Sequence, residues 1–428
     1  MSERIDLPCH SSRSSLLSSS SGYNNYRGLL NLVYILLAMG GGRLVLENLL
    51  KYGLLVQLDL PIIFLKDPTQ WSAFILILLV NIFIFITYYL EVKVKSTLSQ
   101  LINLFMLLIF PVIYIEIRKP NPIGTFLAVS IYSIVFLKLI SYIHINCLCR
   151  MQWINDNKGK KTDIFEESLN DYVTEKSSTI LVKYPDNLSL KDLYYFLFAP
   201  TLCYELNYPR TTGIHKNSLV RRLCEILFLS SLEYILIQQW TLPILRSIDR
   251  PLNELSTFTI IEHLLRLAIA NHLIWLIFFY LIFHSCLNVV ADLLQFDDRH
   301  FYSDWWNAED IADFWKKWNI PVHTWCKRHI YKPLIKDYGL SKAMASFFVF
   351  LISAFFHEYL ISVPLRMFRI WSFIAILVQV PMAFIVKYMN REARYGNIAV
   401  WISLILLQPI AIILYLQDYY YKDYVQQN

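Results

Sequence analysis

Near the C-terminus an apolar run, Ser346 to Ser362, carries a histidine and a glutamate side by side: Ser353-Ala354-Phe355-Phe356-His357-Glu358-Tyr359. One charged group at bilayer depth costs about 2.5–3.5 kcal/mol on insertion scales, so ionisable residues in such runs read as functional by default. If the span begins near Ser346, His357 lies about eleven residues, roughly 17 Å, below one surface at 1.5 Å per residue. That is close to the middle of a hydrocarbon core about 30 Å thick. An imidazole there stays neutral and can accept a proton, the task of a general base, and its depth points to chemistry on a lipid. Glu358 sits about 100° around the helix from His357, better placed to pair with a neighbouring helix than to touch the ring. Ser353, one turn earlier on the His357 face, is both a candidate helper and a small residue that lets membrane helices pack closely.

Two more polar side chains recur at mid-span depth, Gln379 and Gln408, each about ten residues into the next two apolar runs. Either alone reads as an interhelical hydrogen bond worth about 1–2 kcal/mol or less. With His357 at the same depth, the three read together as a polar pocket inside a bundle. Other chemistries fit less well. His357-Glu358-Tyr359-Leu360-Ile361 begins like a zinc-protease helix but has Ile361 where the second histidine belongs. No Gly-x-Ser-x-Gly elbow suggests a serine acyl-enzyme. His323-x-x-Cys326-x-x-His329 has metal-capable residues at a spacing that matches no common site.

The elements that must position these groups are membrane helices. The chain has 428 residues, 56% apolar and only 17% charged, where a soluble protein would show about 25% charged residues. The aromatics, 28 Tyr, 27 Phe and 11 Trp, suit headgroup belts and apolar tunnels. The net charge of +6 comes from scattered bases, which argues against nucleic-acid binding. The seven cysteines follow no disulfide framework, and Cys147-x-Cys149 reads as packing or a lipidation site. The first 28 residues are serine-rich and polar, without a signal-peptide core, and read as a disordered cytosolic tail.

Nine stretches are long and apolar enough to span. They are Leu29 to Leu50 (interrupted by Gly40-Gly41-Gly42), Trp71 to Leu90, Leu98 to Ile117, Pro122 to Leu148 and Leu223 to Leu245. Ile260 to Leu294 is too long for one upright span. Ser346 to Ser362, Arg369 to Tyr388 and Ile398 to Leu416 complete the set. The fold class is therefore an all-α polytopic membrane protein. A cytosolic N-terminus puts both long polar loops, Arg150 to Arg222 and Asp297 to Ala345, in the cytosol with most of the Lys and Arg, as the positive-inside rule asks. The short loops with Arg118 and Lys119, and with Arg366 and Arg369, fall on the other side. An odd span count leaves the C-terminus luminal. On this topology the sequon Asn187-Leu188-Ser189 faces the cytosol and stays unused.

The second long loop has its own pattern. Phe301-Tyr302-Ser303-Asp304-Trp305-Trp306-Asn307 opens it, and Ile311, Phe314, Trp315 and Trp318 follow at helical spacing with Lys316 and Lys317 between them. This predicts an amphipathic helix lying on the interface. The bases Lys327, Arg328, His329, Lys332, Lys336 and Lys342 come next. They suit either an anionic membrane surface or the phosphates of a nucleotide-bearing cofactor.

Phe301 to Asn307, Trp318-Asn319-Ile320-Pro321-Val322-His323 and Ser353 to Leu365 closely resemble the membrane-bound O-acyltransferase superfamily, within it the acyl-CoA:diacylglycerol acyltransferase type 1 branch. Ser21 to Gly28, Tyr184 to Leu188 and Tyr194 to Arg210 resemble the animal forms, and the likeness covers nearly the whole chain after residue 20. The resemblance implies a membrane-bound O-acyltransferase domain over residues 29–428, in the endoplasmic reticulum. Acyl-CoA would be co-substrate, with no permanently bound cofactor, and diacylglycerol the acceptor. It implies His357 as catalytic base and Asn319 as the second catalytic polar residue. Gln379, Gln408 and Glu358 would line the reaction chamber, and Ser353 is placed with them by its position on the His357 face. Phe301, Tyr302, Asp304, Trp305, Trp306 and Asn307 would engage acyl-CoA, with Trp318, His323, Tyr331 and Lys342 around its head. Ser346 departs from the pattern, which expects a base there; another loop base such as Lys336 would then serve the phosphates. The Tyr23 to Gly28 segment resembles one that reaches a neighbouring subunit, implying a homodimer or homotetramer. A sterol acyltransferase is the nearest alternative, and the Tyr194 to Arg210 block argues against it. A transporter would show internal repeats, and none is visible.

Overall fold

The computed structural model describes residues 27–56, 68–157, 182–247, 256–389 and 393–427; the serine-rich tail and most of the Ser21 to Gly28 segment lie outside them. The described residues are helical nearly throughout, and their only extended pairing is one antiparallel bridge between Arg210 and Phe296.

Helix α1, Arg27–Tyr52, belongs to a unit of its own. It runs unbroken through Gly40-Gly41-Gly42, where the sequence suggested an interruption. Each glycine disfavours a helix by about 1 kcal/mol in water. In lipid, however, a break would leave backbone groups unsatisfied at several kcal/mol each, so the helix continues.

The second unit begins with α2 (Pro68–Tyr89), extended by a π-helical turn Leu90–Val94, then α3 (Thr97–Arg118) and the 36-residue α4 (Pro122–Asn157). Leu76, Leu107, Tyr132, Leu139 and Tyr142 form the core of these three, and Tyr359 and Val363 pack into the same cluster. Polar stitches cross it. Asn103 donates to the Phe83 carbonyl at 3.0 Å and to Thr87 Oγ1 at 2.8 Å, and Glu91 pairs with Arg150 at 3.1 Å.

Short α5 (Leu190–Phe198) is capped at its start by Ser189. At its other end the buried Lys138 ammonium donates to the carbonyls of Phe196, Leu197 and Ala199 at 2.8, 2.9 and 2.6 Å. The sequon amide is inside this region as well. Asn187 is buried and donates to Asn146 Oδ1 at 2.8 Å and to the Tyr204 hydroxyl at 2.9 Å, so packing withholds it from modification.

Helices α6 (Lys216–Leu236) and α7 (Leu242–Arg246) are joined by a π-helical turn. Helix α8 (Thr257–Phe279), the π-helical Tyr280–Cys286 and α9 (Leu287–Leu294) form one 38-residue path. The loop segment contains α10 (Ile311–Lys317), α11 (Ile320–Cys326), a π-helical turn Lys327–Tyr331 and α12 (Lys332–Lys336). Three long helices close the chain: α13 (Lys342–Leu365), α14 (Trp371–Met389) and α15 (Ala393–Gln427).

Seven described helices are long and apolar enough to cross a membrane. The other two of the nine expected stretches are helical too. Leu223 to Leu245 falls in α6 and α7, made more polar by Glu225 and Glu233. Arg369 to Tyr388 falls in α14, whose apolar part is the shorter Trp371–Ala383.

A histidine pair joins the loop to α4. His329 Nε2 lies 2.8 Å from Ser141 Oγ, and its Nδ1 lies 2.8 Å from His144 Nδ1. Two facing ring nitrogens share one proton, so the contact requires a neutral partner. Burial, then His144 and Arg328, pushes His329 down to about 3 from its ordinary 6.5. Below pH 6.5 the unfolded chain therefore binds a proton that the folded one refuses. This stabilisation is complete above that pH and declines as the pH falls toward 3. Thermal unfolding in detergent is expected to show a loss of about 1–2 kcal/mol between pH 7 and pH 5. His329→Gln should flatten that dependence; an unchanged slope in the variant would exclude the pair as its source.

Candidate active site

Helix α13 starts at Ser341, whose hydroxyl accepts from Met344 N at 3.3 Å, and Lys342 is its exposed first residue. Four turns in, His357 Nδ1 lies 2.8 Å from the carbonyl oxygen of Ser353. A carbonyl only accepts, so Nδ1 carries a proton, and in the neutral ring Nε2 then keeps its lone pair. That is the tautomer a base needs, and it is set by the helix's own backbone. Beyond the ring stands Trp315, edge to face, with centroids 6.5 Å apart at 85°. Trp315 in turn donates its indole N–H to Gln379 Oε1 at 2.7 Å.

Glu358 turns elsewhere. It accepts from Ser362 Oγ, from the Tyr415 hydroxyl at 2.5 Å and from Phe373 N at 3.1 Å, tying α13 to the start of α14 and to α15. Gln408 is also apart from the Trp315 contact: its Oε1 accepts from Asn271 Nδ2 at 3.2 Å, joining α15 to α8. Among the predicted residues, then, His357 and Gln379 meet around Trp315, Ser353 reaches His357 through its main-chain carbonyl, and Glu358 and Gln408 hold neighbouring helices.

The amphipathic helix forms as α10, with Asp310 as its cap at 2.7 Å from Asp313 N. Its apolar face is turned onto protein: Ile311 and Phe314 are buried among Phe279, Met382, Val386, Val400 and Leu404. Trp318 ends the helix and stacks on Trp275, centroids 5.6 Å apart. Asn319 caps the next helix, its Oδ1 accepting from Val322 N at 3.2 Å. Its NH2 makes no hydrogen bond among the described residues and remains available as a donor.

Two backbone bonds clamp the aromatic segment onto this corner, Ser303 N to Lys317 O at 2.9 Å and Ile320 N to Phe301 O at 3.1 Å. Phe301 and Trp305 are buried, whereas Trp306 and Asn307 are exposed. The Tyr302 hydroxyl lies 2.7 Å from His284 Nδ1. Asn307 and Lys317 beside Asp304 hold its carboxyl below the usual range. On α11, burial and then Lys327 and Lys316 lower the proton affinity of His323, which favours its neutral form. Tyr331 ends the π-helical turn. Of the His323-x-x-Cys326-x-x-His329 set, His329 is engaged by His144 and Ser141, and Cys326 packs near Cys203 and Trp325. No described cluster of three or more His, Cys, Asp or Glu is arranged for a metal ion.

Sequence reasoning passed over Trp315 as part of an apolar face, and over His284, Asn271 and Tyr415 entirely. The spacing of Trp315 was visible; that its N–H would face an amide inside the bundle was not.

Among the described residues the His357 ring is hydrogen-bonded through Nδ1 alone, at mid-helix depth, and the Trp315 beside it is held by the Gln379 amide. The chain belongs to the membrane-bound O-acyltransferase family, whose model matches residues 66–417. It is thus a multi-pass membrane acyltransferase. It is 48% identical over 425 residues to a protein of Bos taurus named diacylglycerol O-acyltransferase 1, covering 97% of this chain and 85% of the other. The human protein of that name is 47% identical over 430 residues, covering 98% and 86%. That of Dictyostelium discoideum is 35% identical over 424 residues, covering 97% and 65%.

Proposed function

We propose that this acyltransferase moves a fatty acyl group from acyl-CoA directly to the free hydroxyl of diacylglycerol, giving triacylglycerol and coenzyme A. The observation that carries the mechanism is the His357 ring, whose Nδ1–H is spent on Ser353 and whose Nε2 has no hydrogen-bond partner among the described residues. Nε2 takes the hydroxyl proton as the oxygen attacks the thioester carbonyl. The C–O bond forms, the C–S bond breaks, and the proton returns to the departing thiolate. The Asn319 NH2 supports the oxyanion, a role worth roughly 2.7–4 kcal/mol per donor in other enzymes. Acyl-CoA is co-substrate. Its head lies at the cytosolic mouth by Trp318, His323, Tyr331 and Lys342, beside the Phe301 to Asn307 segment. Its chain runs into the bilayer-depth chamber with Ser353, Gln379 and Gln408. Glu358 serves through the helices it holds together.

The diacylglycerol acceptor is inferred over a sterol because relatives matching nearly the full chain carry the diacylglycerol name. With it go an endoplasmic-reticulum location, a cytosolic N-terminal tail over residues 1–28 with a subunit contact near its end, a luminal C-terminus, and a homodimer or homotetramer. The test offers labelled oleoyl-CoA with diacylglycerol or cholesterol, in parallel, to membranes that lack other neutral-lipid acyltransferases. Labelled triacylglycerol without sterol ester is the expected product. Sterol ester as the main product would move the enzyme to the sterol branch.

A further inference from the structure

We infer that Trp315 is a positioning residue for the acyl transfer, locking the amide of Gln379 with its NH2 turned away from the indole and available as a donor. The inference rests on the base reading of His357 and extends it to a residue outside the predicted site.

The geometry is built from three elements. Phe314 anchors α10 by burying its ring among residues of α14 and α15. Trp315, the next residue, is rotated about 100° from it and meets other neighbours. Its ring stands against Phe350, centroids 6.4 Å apart at 89°, and against His357, 6.5 Å at 85°. Those two residues are two turns apart on α13, so one indole covers a continuous strip of the face that displays the base. Its N–H then reaches across to Gln379 on α14 at 2.7 Å.

That hydrogen bond has a direction. An indole nitrogen donates and never accepts, whereas a glutamine amide has one accepting end and one donating end. Trp315 therefore selects the amide rotamer with Oε1 toward α10. Gln379 is buried, so a flipped amide would set N–H against N–H with no water to relieve it, at a cost of about 1–3 kcal/mol. The selected rotamer leaves the NH2 as the free end, suited to a carbonyl or oxyanion of bound substrate. A cytosol-side helix thereby fixes the polarity of an amide at bilayer depth.

The test compares Trp315→Phe, Trp315→His and Gln379→Glu with wild type and His357→Ala, each purified in detergent and checked for monodisperse elution. The histidine variant keeps a ring nitrogen at the position equivalent to the indole N–H; phenylalanine keeps apolar bulk and loses the donor. Trp315→Phe is expected to lower kcat by at least about tenfold, with the KM for oleoyl-CoA changed by less than about threefold. Trp315→His should recover part of that loss. Gln379→Glu keeps the acceptor for Trp315 but loses the NH2, and should lower kcat by about 10²-fold. Adding Trp315→Phe to it should cost little more, because both act through one amide. A phenylalanine variant as active as wild type, or more active than the histidine variant, overturns the inference, since packing alone predicts that order. So does a loss confined to KM. If His357→Ala keeps wild-type activity, the base reading fails; if it is inactive while both Trp315 variants turn over normally, only the role of Trp315 falls.

Discussion

His357→Ala is expected to lower oleoyl transfer to diacylglycerol by about 10²–10⁴-fold, the range that general bases contribute. The loss should appear in kcat, because the ring acts on the acceptor's proton and not on the coenzyme A head. The protein should still fold. Among the described residues the ring's one hydrogen bond is to Ser353 in its own helix, so removing it breaks no described tie between helices. Glu358, one residue on, is the contrasting case: its carboxylate joins three helices through Ser362, Tyr415 and Phe373. Glu358→Ala should therefore reduce the yield of monodisperse protein, whereas His357→Ala should reduce turnover alone. Turnover and elution, measured on both variants, separate the two. A fully active His357→Ala protein would leave the family's chemistry in this chain without a base.

Lys138→Met is expected to destabilise the folded protein by about 3 kcal/mol. The ammonium is buried and donates to three carbonyls at the C-terminal end of α5. That is where a cation also meets the negative end of the helix dipole. Methionine keeps the apolar stem and removes all three donors. Each buried carbonyl left without a partner costs about 1–3 kcal/mol. The saved desolvation of the ammonium offsets part of that sum. Thermal unfolding should shift down by about 3 °C. Arginine should not restore it, since a flat guanidinium does not converge on three carbonyls as one tetrahedral ammonium does. A methionine variant that melts with wild type would mean that these carbonyls find other donors.

The apolar runs and the polar residues inside them were legible because the bilayer imposes a simple rule. Roughly twenty apolar residues span it, and an ionisable group within them is costly enough to stand out. His357 satisfied that rule unaided. Gln379 and Gln408 looked equivalent by the same rule, at the same depth in consecutive helices, yet one faces Trp315 and the other Asn271. Depth along a helix follows from counting residues; the partner follows from helix rotation and crossing, which no count provides. Lys138 lay in an apolar run without attracting notice, because its partners are main-chain carbonyls more than fifty residues away and carry no sequence signature. Likewise α10 was legible as an amphipathic helix, but whether its apolar face met lipid or protein depended on α14 and α15 arriving beside it.

By itself, then, the sequence determined a polytopic helical membrane protein, its mid-span histidine and, through long motifs, its family. These follow from local hydrophobicity and residue spacing. The tertiary structure alone decided that His357 stands beside Trp315 with Nδ1 on Ser353, that Glu358 is a clamp between helices, and that, among the described residues, the Asn319 NH2 is unspent. The reason is physical: hydrogen bonds are short and directional, so their pairing depends on how helices far apart in the chain are rotated against one another.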